Sequence, residues 1–558
     1  MTTEYISLRK SNCKNCYKCI RNCPVKSIRF SGSQAHIVSD ECILCGTCYV
    51  VCPQNAKQIA SSLEKAKIML AEGTKCILSV APSFAAAYPG FSIASIRKAA
   101  KALGFEDAEE TAIGAQIVAG EYDRLVENAS GEVIISTCCP TINLLVQKHY
   151  PQLLGSLAHV MSPMRAHARN IKSRYPGSSV IFVGPCVSKK QEADAYGDTD
   201  CVLTFDEFDT WLGEKSIRLE KVSDDERGGI SRLFPTTGGI LKSMKKPNST
   251  YSYLSIDGVL NCASALEDIA CGKIARAFIE MSSCVGSCSQ GPELSRKLQS
   301  PVSAYCSVDR YAFGSKAFDI AGKTDAIRQD FSYMAPEKRL PTEDEIKEIL
   351  AKIGKTRPED ELNCSCCGYN TCREKAIAVF QGKAELTMCL PFIKEKSESL
   401  TGNILFNTPN GILILNEQLE VQQINQAARK MMNIRDAGDI LGENVIRILD
   451  PTDFEAVLST GRAIRDKRTY LAEYMKYVEQ TIVYDRSYHS VLCFMRDVTE
   501  EETERAKRSQ LTKNTAQTAD KVVEKQMRIV QEIASLLGET AAETKIALTK
   551  LKESLDDD

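Results

Sequence analysis

The sequence predicts a multidomain protein of mixed α/β and α+β class. Three observations predict it. The chain has 558 residues, too many for one hydrophobic core. Eight cysteines fall in two identical spacings near the start. A long middle region alternates short apolar runs with amphipathic stretches. Hydrophobic content of 43% and charged content of 25% are ordinary for a globular chain, and a net charge of -2 gives no reason to expect nucleic acid. No apolar run reaches the roughly 18 residues that span a bilayer, and Met1-Thr2-Thr3-Glu4 has no leader pattern. The expectation is a cytoplasmic protein that binds neither membrane nor nucleic acid.

Cysteine carries the chemistry: there are 24, against five histidines. In a long chain without an export signal, such density points to metal or catalysis rather than disulfides. Cys13, Cys16, Cys19 and Cys23, with Pro24 following, read C-x2-C-x2-C-x3-C-P, and Cys42, Cys45, Cys48 and Cys52 with Pro53 repeat it. In bacterial ferredoxins three close thiolates hold three irons of a 4Fe-4S cube while the fourth reaches the other cube. Cys13, Cys16, Cys19 and Cys52 are therefore expected around one cluster, and Cys42, Cys45, Cys48 and Cys23 around the other. A pair of zinc knuckles would use two cysteine pairs instead. Residues 1–62 read as a two-cluster ferredoxin-like module, which moves single electrons.

From 74 to 335 the pattern is α/β, and its cysteines follow strand-like runs. Val133-Ile134-Ile135-Ser136 leads into Thr137-Cys138-Cys139-Pro140, Val180-Ile181-Phe182-Val183 into Gly184-Pro185-Cys186, and Ala277-Phe278-Ile279-Glu280-Met281 into Ser282-Ser283-Cys284-Val285-Gly286-Ser287-Cys288. Ligands of such sheets bind beyond the carboxyl ends of strands, so a shared site of Cys139, Cys186, Cys284 and Cys288 is expected. Any one of them alone reads better as a small buried hydrophobe.

With these motifs, STCCP at 136–140, GPCVSKK at 184–190 and EMSSCVGSCSQGP at 280–292, the sequence resembles the iron-iron (FeFe) hydrogenases. The resemblance covers residues 1–335 and implies an H-cluster, a 4Fe-4S cube joined to a two-iron centre with CO, CN and an azadithiolate bridge. It implies that Cys139, Cys186, Cys284 and Cys288 ligate the cube and that Cys288 bridges to the two-iron unit. Cys138 takes the place of the thiol that exchanges a proton with the bridging amine, and Lys189 that of the lysine at a cyanide ligand. Ala81-Pro82-Ser83 resembles the loop at the other cyanide, and Phe234 to Gly239 another pocket segment. Two departures stand out. Gly184 and Ser282 occupy positions where efficient members carry methionine, which implies a roomier, more polar pocket shared with Pro185. Glu121 matches one carboxylate of the usual proton path, but its partners are replaced by Arg124 and Ala158. Slow catalysis is expected, or another proton route through waters or Glu280. The pattern resembles the sensory branch of the family.

Cys364, Cys367, Cys372 and Cys389, within 340–395, have C-x2-C-x4-C-x16-C spacing. They resemble the small, additional 4Fe-4S domain of corrinoid proteins of carbon-monoxide metabolism; Cys366 is an extra, and tetrahedral zinc is the alternative occupant. Residues 402–499, from TPNGILIL to MRDVTEEE, resemble a PAS domain. Its one histidine, His489, argues against haem, and Cys493 reads as core. In residues 500–558, Val523, Met527, Val530, Ala534, Leu537, Ala541, Thr544, Leu548, Leu551 and Leu555 recur in steps of four and three, a helical seam.

The expected protein is thus a slow, ferredoxin-type iron-iron hydrogenase used as a sensor, reacting H2 with protons and electrons and signalling through its clusters and PAS domain. The expected cofactors are three 4Fe-4S clusters plus the H-cluster. Expected partners are hydrogenase maturation enzymes, a redox partner, a phosphatase or kinase, and a second copy bound through the PAS domain or the C-terminal helix. The alternatives are a metabolic ferredoxin-linked hydrogenase, and a non-catalytic iron-sulfur scaffold lacking the two-iron unit.

Overall fold

In the computed structural model the described residues are 4–9, 12–223, 229–297, 300–314, 317–322, 327–334 and 339–555. The extreme N-terminus, Met1–Thr3, lies outside them. The chain divides into two compact units, Met1–Ile393 and Lys394–Asp558.

The first unit is built on two parallel sheets. Four strands run in the order Asp107–Glu110, Cys76–Val80, Ser179–Val183, Cys201–Leu203, and three in the order Ser252–Asp257, Ala277–Ser282, Ile134–Ile135. Strands buried on both faces need apolar residues at consecutive positions, and Cys76–Val80 is buried throughout. Register sets the site. Val80 pairs with both Glu110 and Val183, and Asp257 with Ser282, so the loops after these strands leave each sheet at one level. Helices then begin where those loops end: Pro140–His149 takes its proline at the first turn, and Thr204 closes a capping box with Glu207 on Phe205–Glu214.

At the start of the unit, short antiparallel pairs, Ile6–Leu8 with Lys57–Ile59 and Ile28–Ser31 with Gln34–Ile37, frame the first eight cysteines. The helices Glu343–Lys352 and Cys372–Phe380 pack together through Ile346, Leu350 and Ala376. Their segment lies against the cysteine-rich start: Phe30 N–H donates to the Lys383 carbonyl, Lys383 pairs with Glu41, and Lys26 donates to the Gly368 carbonyl at 3.2 Å. Gly368 has φ +91°, and a Cβ there would approach Ile20 to 3.1 Å, so the contact needs glycine.

The second unit holds a five-stranded antiparallel sheet, ordered Val421–Ile424, Gly411–Leu415, Ser490–Asp497, Lys476–Asp485, Ile464–Leu471. Its core joins Leu413, Leu415, Phe454, Val457, Cys493 and Met495. Cys493 is fully buried there, and His489 is exposed and bonded to Glu417. The helix Thr499–Leu555 runs 57 residues, and its described side chains from Thr503 to Lys552 are all exposed. No helix among the described residues is long and apolar enough to cross a membrane.

Candidate metal centres

The aligned strand ends bring Cys139, Cys186, Cys284 and Cys288 together. Burial pushes the Cys284 thiol up, and the neighbouring Cys186, Cys139 and Cys288 push it further. Cys288 is raised to about 12, first by burial and then by Cys186 and Cys139; Cys186 is raised by burial and by Cys139. Cys186, Cys284 and Cys288, crowded and buried, resist ionising together, so the thiolate set becomes stable when cations share the space. Serine hydroxyls stand beside them: Ser188 Oγ is 3.1 Å from Cys186 Sγ, and Ser283 Oγ is 3.7 Å from the sulfurs of Cys139 and Cys284.

Beside this set lies a cavity of about 80 Å³. Its wall includes Ala81, Pro82 and Ser83, then Cys138, Cys139 and Lys189, and then Phe234, Pro235, Glu280, Ser282 and Cys288. Cys288 is exposed, but into this cavity. Ser83 Oγ is buried there without a protein partner, which fits a cavity made to receive a polar group. Lys189 Nζ donates to Glu192 at 2.8 Å and to the Cys138 carbonyl at 3.5 Å and keeps one further donor for the cavity side. The residues present therefore fit a cluster bearing anionic ligands.

Three expectations change. Gly184 does not open the pocket: a Cβ on it would lie 2.7 Å from the Phe182 ring, so Phe182, which lines the cavity, already fills that space. Pro185 packs behind, against Gly291. Ser282 does add polarity, and its hydroxyl meets Ser287 at 2.6 Å. Glu121 lies off the cavity and pairs with Arg124 at 3.0 Å. The group that meets Cys138 is its neighbour Tyr122, whose hydroxyl is 3.1 Å from Sγ and accepts the Thr137 N–H at 2.9 Å. Tyr122 was legible as a member of the buried stripe Ala115, Val118, Tyr122, Val126 of the helix Ala112–Glu127. Burial pushes the Cys138 thiol well up, with Tyr122 and Lys189 opposing. Glu280 on the same wall is raised to about 7 by burial, against the pull of the backbone N–H groups of Leu241 and Gly238.

In the N-terminal module, burial raises Cys48, and Cys45, Cys42 and Cys23 add to the rise. Cys23 thus stands with the second motif across the chain. Cys19 is raised to about 11 by burial, with Cys13 and Cys16 adding to it. Cys52 Sγ accepts the Ala56 N–H at 3.3 Å. Farther along, Cys364, Cys367, Cys372 and Cys389 line one small cavity with Tyr369 and Lys375, and Cys366 is not on its wall. Lys375 is buried and donates to the Leu386 carbonyl at 2.9 Å. Among the described residues no three Cys, His, Asp or Glu side chains form a group able to hold a single metal ion.

Comparison with known proteins gives three family matches. The model for the iron-only hydrogenase large subunit, C-terminal domain, matches residues 74–292, that for a 4Fe-4S dicluster domain matches 5–77, and that for a small Fe-S cluster segment matches 360–391. The cytosolic Fe-S cluster assembly factor NAR1 of Kluyveromyces lactis is 34% identical over 98 residues, which are 17% of this chain and 20% of that protein. The match thus spans a fifth of that relative's length. An FeFe-hydrogenase from Chlamydomonas reinhardtii is similar over 50% of this chain and all of its own, at 15% identity and TM-score 0.38. The PAS domain of a nitrogen regulation protein from Vibrio parahaemolyticus is similar over 18% of this chain and 97% of its own, at 22% identity and TM-score 0.16. The chain is an FeFe-hydrogenase-like protein with 4Fe-4S domains, its residues 74–292 matching the iron-only hydrogenase large subunit, C-terminal domain.

Proposed function

We propose that the protein reacts with H2 at an H-cluster seated in the Cys138–Ser83 cavity and passes the resulting redox change to a signalling partner. The observation that carries this reading is the cavity itself. It adjoins the four-cysteine set, and its wall carries Cys138, Lys189 and an unpartnered Ser83, which a cube alone does not require. When bound, the cofactor supplies the metal chemistry that splits H2 into protons and electrons. The chain does the rest. Cys138, backed by Tyr122, holds a proton at its sulfur. Lys189 and Ser83 offer donors to anionic ligands. Phe182, Pro235 and Ile240 keep the wall dry. Glu280, raised to about 7, is able to take and release a proton near neutral pH.

Electrons have two neighbours to reach. Cys23 and Cys48 pack in one apolar cluster with Val187, which follows Cys186, and with Tyr369 and Cys367 of the later cysteine set. One ferredoxin-type cluster would thus stand between the H-cluster and the third 4Fe-4S cluster. This branch, with a PAS-like sheet following, favours sensing over plain metabolic turnover. The partners proposed are maturation enzymes that install the two-iron unit, and a phosphatase or kinase that reads the second unit. The likeness to NAR1 supports the competing reading, an iron-sulfur scaffold without the two-iron unit.

Electron paramagnetic resonance of the matured full chain separates the two. Under H2 alone, the signals of reduced 4Fe-4S clusters should grow, and they should fade under argon with a mild oxidant. A chain whose clusters respond to dithionite but never to H2 is the scaffold.

A further inference from the structure

A hydrogen-bonded chain leaves the cavity in a direction that involves neither Cys138 nor Glu280. Thr111 lies on the cavity wall, and its hydroxyl is 2.8 Å from Ser79 Oγ. Ser79 Oγ is in turn 2.8 Å from Nδ1 of His167, and Nε2 of that ring lies 3.2 Å from a carboxylate oxygen of Glu109. Arg174 holds both Glu109 oxygens. Ser79 and His167 are fully buried, whereas the side chains of Glu109 and Arg174 are 10% and 20% exposed. The chain therefore begins at the cavity and ends at solvent. A Ser-His-Glu hydrolytic role is excluded by access, because Ser79 reaches neither solvent nor the cavity.

The hydrogen bonds have a fixed sense. Burial would raise the Glu109 carboxyl, but His167 and Arg174 outweigh it and bring it down to about 2. Ionised Glu109 only accepts, so Nε2 donates to it. Burial lowers His167 and keeps the ring neutral, which leaves Nδ1 as an acceptor for the Ser79 hydroxyl. The Ser79 oxygen is then free to accept from Thr111. All the donors point outward from the cavity.

We propose that Thr111, Ser79, His167 and Glu109 form a proton wire between the cavity and solvent, resting on the reading of that cavity as the hydrogen-reacting centre. In an outward pass the Thr111 oxygen takes a proton from the cavity and gives its own to Ser79. The Ser79 proton moves to Nδ1, the Nε2 proton moves to Glu109, and Glu109 releases it to water. One proton enters, one leaves, and no electron moves. Afterwards the Thr111, Ser79 and His167 protons point inward, the histidine carries its proton on Nδ1, and its bare Nε2 faces the ionised Glu109 with no hydrogen bond between them. The wire is then set to return a proton and not to pass a second one outward. Such a device suits a centre that alternates between two states better than one that turns over continuously.

Two measurements test the wire, one of them without the cofactor. In the full chain labelled with 15N-histidine, the His167 resonances, identified by their loss in His167→Gln, should show a neutral ring protonated at Nε2, and Ser79→Ala should shift Nδ1. A cationic ring, or one protonated at Nδ1 in the resting chain, overturns the proposal. In matured protein, a pH jump followed through the infrared CO and CN bands should relax at least about tenfold more slowly in Ser79→Ala and in Thr111→Val. Ser79→Ala removes a single oxygen and keeps the assay if His167→Gln does not fold. Unchanged relaxation in both variants overturns the wire while leaving the cavity's role intact. Absence of the bands from the wild-type chain would instead overturn the reading of the cavity, and the wire with it.

Discussion

The hydroxyl of Tyr122 lies 3.1 Å from Cys138 Sγ and also accepts the backbone N–H of Thr137. The thiol with the most consequence in the cavity is therefore braced by a side chain from the helix Ala112–Glu127. Tyr122→Phe leaves the Thr137 N–H without that acceptor and should cost about 1–3 kcal/mol in urea unfolding. In matured protein it should also slow H2/D2 exchange, because Cys138 loses a partner that favours its ionised form. Unchanged exchange would remove Tyr122 from the account of the site.

Gly184 and Phe182 point to a second test. Restoring methionine by Gly184→Met drives a Cβ to within 2.7 Å of the Phe182 ring, so the single variant should lose about 1–3 kcal/mol. Phe182→Leu/Gly184→Met should recover most of it. Additive losses in that double-mutant cycle would mean that Phe182 does not fill the methionine's space.

Glu280 gives stability a pH slope. Its folded value of about 7 lies above its ordinary value of 4.5, so the unfolded chain gives up this proton first as pH rises. Its contribution therefore opposes folding progressively between those limits, by about 3 kcal/mol in total. Glu280→Gln should flatten that part of the unfolding profile. Glu109 has the opposite sign: its folded value of about 2 adds stability that is complete above the ordinary value and lost as pH falls toward 2. An unfolding profile of Glu280→Gln parallel to the wild type across the neutral range would contradict the first assignment.

The exposed helix carries the apolar seam Val523, Met527, Val530, Leu537 and Leu548. A second copy offers the same seam, and a parallel pair would bury both. Val530→Lys with Leu537→Lys should convert a dimer of the full chain into monomer in sedimentation. A wild-type monomer would end this proposal.

Much of the site was legible because its spacing is local. Cysteines separated by two or three residues reveal a cube before any fold is known, and the strand-then-cysteine pattern puts Cys139, Cys186 and Cys284 each just beyond the carboxyl end of a strand, Cys186 on one sheet and the other two on the second. Glu121 and Tyr122 differ by one step around a helix, so a motif match chose the outward residue where the apolar stripe would have chosen the inward one. The room expected at Gly184 ignored that Phe182, two residues back on the strand, shares its face. Ser79, Glu109 and His167 come from separate elements, and only the parallel register of Cys76–Val80 with Asp107–Glu110 and the packed helix Pro163–Arg174 bring them together. The third cysteine set follows the hydrogenase region in sequence, yet it rests on the first cysteines through Gly368 and Ile20, a contact no local pattern encodes.

Infrared spectroscopy of the full chain, matured with the enzymes that install the two-iron unit, reads the proposed H-cluster itself. CO and CN bands are expected under argon and should shift reversibly when H2 is admitted, with the CN bands displaced in Lys189→Ala and Ser83→Ala. A chain that takes up its 4Fe-4S clusters but shows no such bands after competent maturation would contradict the proposal.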